Sequence, residues 1–266
     1  MVAGGRGVNE FTLVIPFYRN VAMLKRQVQE WNRYPQEGVR VICVDDGSPE
    51  SARDIICENA TPRLWGWRHP RTHGTQFFDL YRIQVDIPWN RVGARNLGAH
   101  LAKTDWIVQI DIDHILPADA LAALLEFTPD PACWYRFPRW RRGAADETRR
   151  KDAIPQECEY GQVHPHVDSY LIRKAAYWET GGYDEDYAGC LGGGGAFLRR
   201  LESMYPVDLL PEPIRLEVYT RNAIADANDL TLSRDTTIGA NIRRKKAAMG
   251  DDVPRNPLRF EWVREL

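Results

Sequence analysis

The chain predicts an α/β fold, a single domain on a mostly parallel central sheet flanked by helices. Three observations carry this: short β-branched apolar runs recur, helical segments alternate with them, and polar clusters stand where the runs end. Phe11–Ile15 reads as the first strand. It stops at Pro16 and is followed by Phe17, Tyr18, Arg19 and Asn20. Val21 to Trp31 has helical spacing, with Val21, Leu24, Val28 and Trp31 on one face. Val39–Val44 is the second strand and exits into Asp45, Asp46, Gly47 and Ser48. Strand, helix and strand in so short a stretch make a βαβ unit. Nearly continuous apolar strands imply a sheet covered on both faces.

Further along, Ser51–Asn59 reads as a helix. Thr61–Gln76 is aperiodic and rich in Trp, Arg and His; it reads as a loop packed on the sheet edge, or as a surface that stacks on bases or sugars. Leu80–Val85 reads as a third strand, closed by Pro88 and Trp89. A helix then starts at Asn90. Its glycines, Gly93 and Gly98, permit close backbone approach, and its arginines, Arg91 and Arg95, suit phosphate.

Trp106, Ile107, Val108 and Ile110 form a buried strand that ends in Asp111 and Asp113, with a helix over Ala118–Phe127 beyond Pro117. Two carboxylates at the exit of an apolar strand are costly to desolvate without a positive partner. A divalent metal is one such partner, since hard cations take oxygen ligands; capping the next helix is the other use of the pair. His114 reads as an exposed residue after the strand, or as a third ligand.

Cys133–Phe137 reads as a strand. The basic run from Pro138 to Lys151 reads as a solvated mobile loop, or as a lid over phosphates. Gln162–Asp168, with His164 and His166, reads as a loop near a binding cleft rather than a two-histidine metal site. Ser169–Arg173 is a strand leading into a helical Lys174–Thr180. The four glycines 192–195 suggest a mobile loop or close approach to a ligand. Val207–Leu210 is strand-like, and Arg243–Lys246 lies on a surface helix.

Composition narrows the setting. A net charge of −2 provides no global attraction to nucleic acid or anionic membrane. No apolar run reaches membrane-span length. The 5 cysteines are odd in number and lack C-x-x-C spacing, so a reducing, cytoplasmic location is expected.

Four pieces, VIPFYRN, VICVDDGSPE, NRVGARNLGAHLAKTDWIVQIDIDHILP and WETGGYDEDYAG, occur in the order seen in family 2-like glycosyltransferases, which the chain resembles from Phe11 to about Leu201. The resemblance implies the GT-A (Rossmann-like) fold and transfer of a sugar from a nucleotide-sugar donor, with UDP-sugar expected and Mn2+ or Mg2+ under the diphosphate. It places Pro16, Phe17, Tyr18, Asp45 and Asp46 at the nucleoside, Arg91 and Arg95 at the nucleotide or diphosphate, Asp111 at ribose and metal, and Asp113 at the metal. The acceptor is left open among glycan, lipid, small molecule and, less expected, nucleic acid. Residues 1–10, polar and glycine-rich, read as a flexible lead-in. By the same resemblance residues 11–220 are the transferase domain (11–117 donor half, 118–220 acceptor half), and residues 221–266 a helical extension. One departure stands out. Counted back from Arg200 and Leu201, the acid pair of the family falls on Gly193 and Gly194. Glycine cannot be a general base. Asp184, Glu185 or Asp186 is then expected to serve as the catalytic acid or base, unless the transfer is retaining or the chain binds nucleotide or carbohydrate without turnover.

Overall fold

The structure, a computed structural model, describes residues 10–35, 37–62, 64, 77–142, 162–219, 236–248 and 257–266. The centre is an eight-stranded sheet of order β10-β6-β9-β4-β1-β2-β3-β12. Its strands are β1 (Phe11–Phe17), β2 (Val39–Asp45), β3 (Phe78–Ile83), β4 (Trp106–Gln109), β6 (Trp134–Arg136), β9 (Tyr170–Arg173), β10 (Val207–Leu209) and β12 (Trp262–Arg264). Pairs β1–β2, β1–β4, β2–β3 and β6–β10 are parallel; β4–β9, β6–β9 and β3–β12 are antiparallel. A smaller sheet has the order β5-β11-β7-β8, from β5 (His114–Ile115), β7 (Arg139–Arg142), β8 (Gln162–Val163) and β11 (Leu216–Tyr219).

The helices are α1 (Val21–Trp31), α2 (Ala52–Asn59), α3 (Arg91–Leu101), α4 (Ala118–Glu126), α5 (Lys174–Glu179), α6 (Gly193–Met204) and α7 (Thr236–Ala248). Asn20, Ser51 and Asn90 cap α1, α2 and α3, each side chain accepting a backbone N–H of the first turn. The core lies on both faces of β1 and β2: Leu13, Ile15, Val41 and Cys43 belong to a cluster with α1 and α2, while Ile42 and Val44 meet Ala94 and Leu97 of α3. Helix α3 rests directly on β1. A Cβ at Gly98 would lie 2.2 Å from Val14 Cγ1, so only glycine permits that spacing.

Several elements differ from the sequence reading. β1 runs through Pro16 to Phe17, because β4 ends its pairing at Val14 and no ladder bond on that side is asked of the proline. Arg139–Arg142, expected in a mobile loop, is the β7 strand. Residues 193–195, expected in a mobile loop, open α6 as helix. The tail is not only helical: β12 extends the central sheet beside β3. Most of the aromatic loop at 61–76, part of the basic run from 143, the extension from 220 to 235, and Cys158 lie outside the described residues. Cys43, Cys57, Cys133 and Cys190 are free. Among the described residues no helix is long and apolar enough to cross a membrane.

Candidate active site

Parallel strands β1, β2 and β4 deliver their carboxyl ends to one edge of the sheet, where α/β folds bind ligands. Phe17 pairs with Asp45, and the Asp46 amide donates to the Phe17 carbonyl at 3.0 Å, which brings the first two polar clusters together. Asp45 is buried. Its Oδ1 accepts from the amides of Ser48 (2.7 Å) and Gly47 (3.2 Å), and Arg82 lies 3.4 Å from Oδ2. Gly47 has φ +93°, and a Cβ there would lie 2.7 Å from the Val85 carbonyl, so the turn requires glycine. Burial pushes the Asp45 carboxyl up to about 6, against the pull of the Ser48 hydrogen bonds and Arg82. Burial, then the charges of Asp45 and Asp86, push Asp46 well above the carboxylate range. Asp46 Oδ1 is buried and has no hydrogen-bond partner among the described residues. Tyr18 donates its hydroxyl to Asp86 at 2.9 Å. Pro16 and Phe17 are buried beneath it.

The second part is built by α3. Residues four apart share a helix face, so Arg91 and Arg95 point the same way. Arg95 is fully buried. It donates to Asp111 Oδ1, which is a close contact, and to Gln109 Oε1 at 3.2 Å. Arg91 salt-bridges Asp168 and stacks over Trp89, 4.8 Å from the ring centre. Burial raises the Asp111 carboxyl, but Arg95, His166 and Arg91 outweigh it and hold the group below its ordinary range.

Asp111 is joined by two histidines from distant segments. His166 Nδ1 stands 3.1 Å from Asp111 Oδ2, and one ligand atom each of Asp111, His114 and His166 lies within 4.8 Å of the others. His114, read as exposed, is buried: β5 turns it inward, with Nδ1 2.6 Å from Ser169 Oγ and Nε2 3.1 Å from Arg139 Nη1. Burial, with His166 and Arg139 nearby, pushes His114 well below the imidazole range, so the ring is neutral, and its Nε2 accepts from Arg139, which can only donate. The Asp168 amide also donates to His166 Nδ1 at 3.2 Å. A carboxylate and two imidazoles whose ligand atoms lie within 4.8 Å of one another are a donor set for a divalent cation. Asp113 is half-buried and stands outside this trio, electrostatically beside Arg139. Of the two histidines in the 162–168 loop, His166 reaches the trio. His164 offers its carbonyl to Arg139, with Nε at 2.7 Å.

The acids expected to act as base are committed elsewhere. Asp184 Oδ2 pairs with Lys246 at 2.5 Å, and Asp186 with Lys246 and Arg259 at 2.9 Å each. Glu185 is buried and accepts from Asn96 Nδ2 (2.8 Å) and from the amides of Leu258 (2.8 Å) and Arg259 (3.0 Å). This acidic turn is bonded to the C-terminal segment. Desolvation explains the choice: a buried carboxylate needs paired donors, and the tail supplies them. His166 and Asp168 are the site residues the sequence reading missed or set aside. The only signal was two polar side chains just ahead of a buried strand.

The chain matches the glycosyl transferase family 2 model over residues 12–190. No curated protein matches it in sequence. Among solved structures it is similar to GalNAc-T7 with UDP, GalNAc and Mn2+ (TM-score 0.59, 13% identity, 88% of this chain and 47% of that one). It is similar also to the mannosyltransferase PcManGT of Pyrobaculum calidifontis in complex with GDP-Man and Mn2+ (0.51, 14%, 81% and 57%). Residues 1–349 of S. aureus TarS in complex with UDP-GlcNAc give 0.53 at 11% identity, over 80% and 59%. The chain thus spans about half the length of these structures. At such identities the likeness is one of fold, and the fold is that of GT-A glycosyltransferases. Sequence model and architecture agree: the chain belongs to glycosyl transferase family 2 and has the GT-A fold.

Proposed function

We propose that this glycosyltransferase takes its sugar from a nucleotide-sugar donor, a UDP-sugar, with Mn2+ or Mg2+ held by Asp111, His114 and His166 and with Asp113 beside them. The observation that carries the reading is the approach of His166 Nδ1 and Asp111 Oδ2 to 3.1 Å, with neutral His114 completing the trio. The orphaned Oδ1 of Asp46 supports the nucleoside end: a buried acceptor or acid without a partner is costly unless a ligand group meets it. The three similar structures carry UDP with GalNAc, UDP-GlcNAc, or GDP-Man, two of them with Mn2+.

The residues divide the work. Pro16, Phe17, Tyr18, Asp45 and Asp46 form the nucleoside side. Arg95, buried and bonded to Asp111, orients that carboxylate. Arg91 lies nearer the surface and faces the diphosphate. A divalent cation, when bound, supplies positive charge to the diphosphate as the sugar leaves. Arg91 adds a fixed cation to the same charge, and costs no reorganisation because it is already held.

Thermal-shift titration tests the reading. UDP with Mn2+ is expected to raise the melting temperature, by the linkage of ligand to the folded state. Asp111→Asn and His166→Ala are each expected to weaken Mn2+ binding by about tenfold or more, read by electron paramagnetic resonance of free Mn2+. Neither a nucleoside diphosphate nor a nucleotide sugar shifting the transition with Mn2+ present would sink the proposal.

A further inference from the structure

Asp168 lies between β8 and β9 and is fully buried. Its Oδ1 accepts the Tyr183 hydroxyl at 2.8 Å, and its Oδ2 is salt-bridged to Arg91. The carboxylate fills the space over the first turn of α6. A Cβ at Gly194 would stand 2.4 Å from Oδ1 and 3.0 Å from Cγ of Asp168. Glycine at 194 is therefore the condition for the carboxylate to be where it is. Arg91, its partner, is 13% exposed, lies over Trp89, and has a buried Nε without a hydrogen-bond partner among the described residues.

We propose that Asp168 is a positioning residue for donor binding: from the space left by Gly194 it fixes the plane of Arg91, so that the remaining N–H groups of the guanidinium meet the donor diphosphate. A guanidinium presents its five donors in one rigid plane. A carboxylate bonded on one edge and an aromatic ring beneath leave that plane a single orientation. The entropy of ordering Arg91 is then spent in folding rather than in binding. The proposal rests on the nucleotide-sugar reading above, and concerns only how Arg91 is held.

The test compares UDP with uridine, each with Mn2+, on the full chain, by calorimetry for UDP and ligand-observed NMR for uridine. Wild type is expected to prefer UDP. Asp168→Asn keeps the shape and removes the charge; it should weaken UDP by about tenfold and leave uridine unchanged. Tyr183→Phe removes the Oδ1 bond, along with the bond its hydroxyl accepts from Tyr170 at 3.2 Å, and should shift UDP in the same direction by less. Gly194→Ala puts a methyl against the carboxylate and should reproduce the Asp168→Asn pattern. In an Asp168→Gly background the same Gly194→Ala change should add nothing, because the space is empty. If one variant does not fold, the other two carry the comparison. Undiminished UDP binding in Asp168→Asn, equal loss of UDP and uridine, or an added effect of Gly194→Ala in the Asp168→Gly background overturns the inference. A wild-type protein that binds neither ligand overturns the nucleotide-sugar reading and this inference with it; one that prefers UDP while its variants behave alike overturns this inference alone.

Discussion

Asp45 shows how burial sets the behaviour of a single group. Its carboxyl is raised from 3.8 to about 6 because burial outweighs the Ser48 amide and Arg82. The folded protein thus holds this proton more tightly than the unfolded chain. The stability Asp45 contributes is greatest below pH 3.8 and is lost as pH rises through about 6. Donor binding runs the other way, since the anion is the form that accepts from a base or ribose. UDP affinity in calorimetry is expected to fall as the pH is lowered through about 6, and Asp45→Asn to flatten that limb. A limb that persists in Asp45→Asn would assign it to another group. Asp45 and Asp111 drew notice in the sequence because each follows an apolar run that reads as a strand. His166 and Asp168 did not, because their value lies in residues more than fifty positions away, Asp111 and Arg91.

Helix α3 is the element that joins the two halves of the site. One face carries Arg91 and the fully buried Arg95, its Gly98 seats it on β1, and its Asn96 ties it to the turn at Tyr183. Asn96 Nδ2 donates to the Tyr183 carbonyl and to Glu185 Oε1, at 2.8 Å each. Its Oδ1 accepts from Tyr177 Oη at 2.7 Å and the Tyr183 amide at 2.9 Å. All of these groups are buried, so Asn96→Ala strands several of them at once. A loss of about 3 kcal/mol is expected, measured as a lower midpoint in urea with an unchanged m-value. The helix itself was readable from its start signal at Asn90 and its spacing. The face it turns to the sheet was set by Gly98, whose meaning appears only once Val14 lies beneath it. The basic run after Pro138 misled for a related reason. Arg139 looks solvated by composition, but β7 pairs with β11 and aims it at His114 and His164.

At the scale of the molecule, the C-terminal residues are part of the domain. β12 covers the edge of β3, and the amides of Leu258 and Arg259 satisfy buried Glu185. Removing residues 257–266 opens a sheet edge and leaves a buried carboxylate short of donors. The shortened protein is expected to lose about 3 kcal/mol, seen as a shifted denaturation midpoint, and to self-associate in light scattering. An unchanged midpoint would mean that β12 contributes no stability. The acidic turn at Asp184–Asp186 belongs to the same joint: Lys246 and Arg259 pair with its carboxylates.

By itself the sequence determined the alternation of strand and helix, the parallel core from β1 to β4, and the polar strand exits at Asp45 and Asp111. These follow from periodicity and from strand exits, which are properties of neighbouring residues. Only the tertiary structure decided which charges meet. It drew His114 and His166 to Asp111, set Asp168 against Gly194 to hold Arg91, and turned Asp184, Glu185 and Asp186 toward the tail. A buried charge takes the partner that best replaces the water it has lost. That partner is chosen by the packing of the whole chain, and no local pattern encodes it.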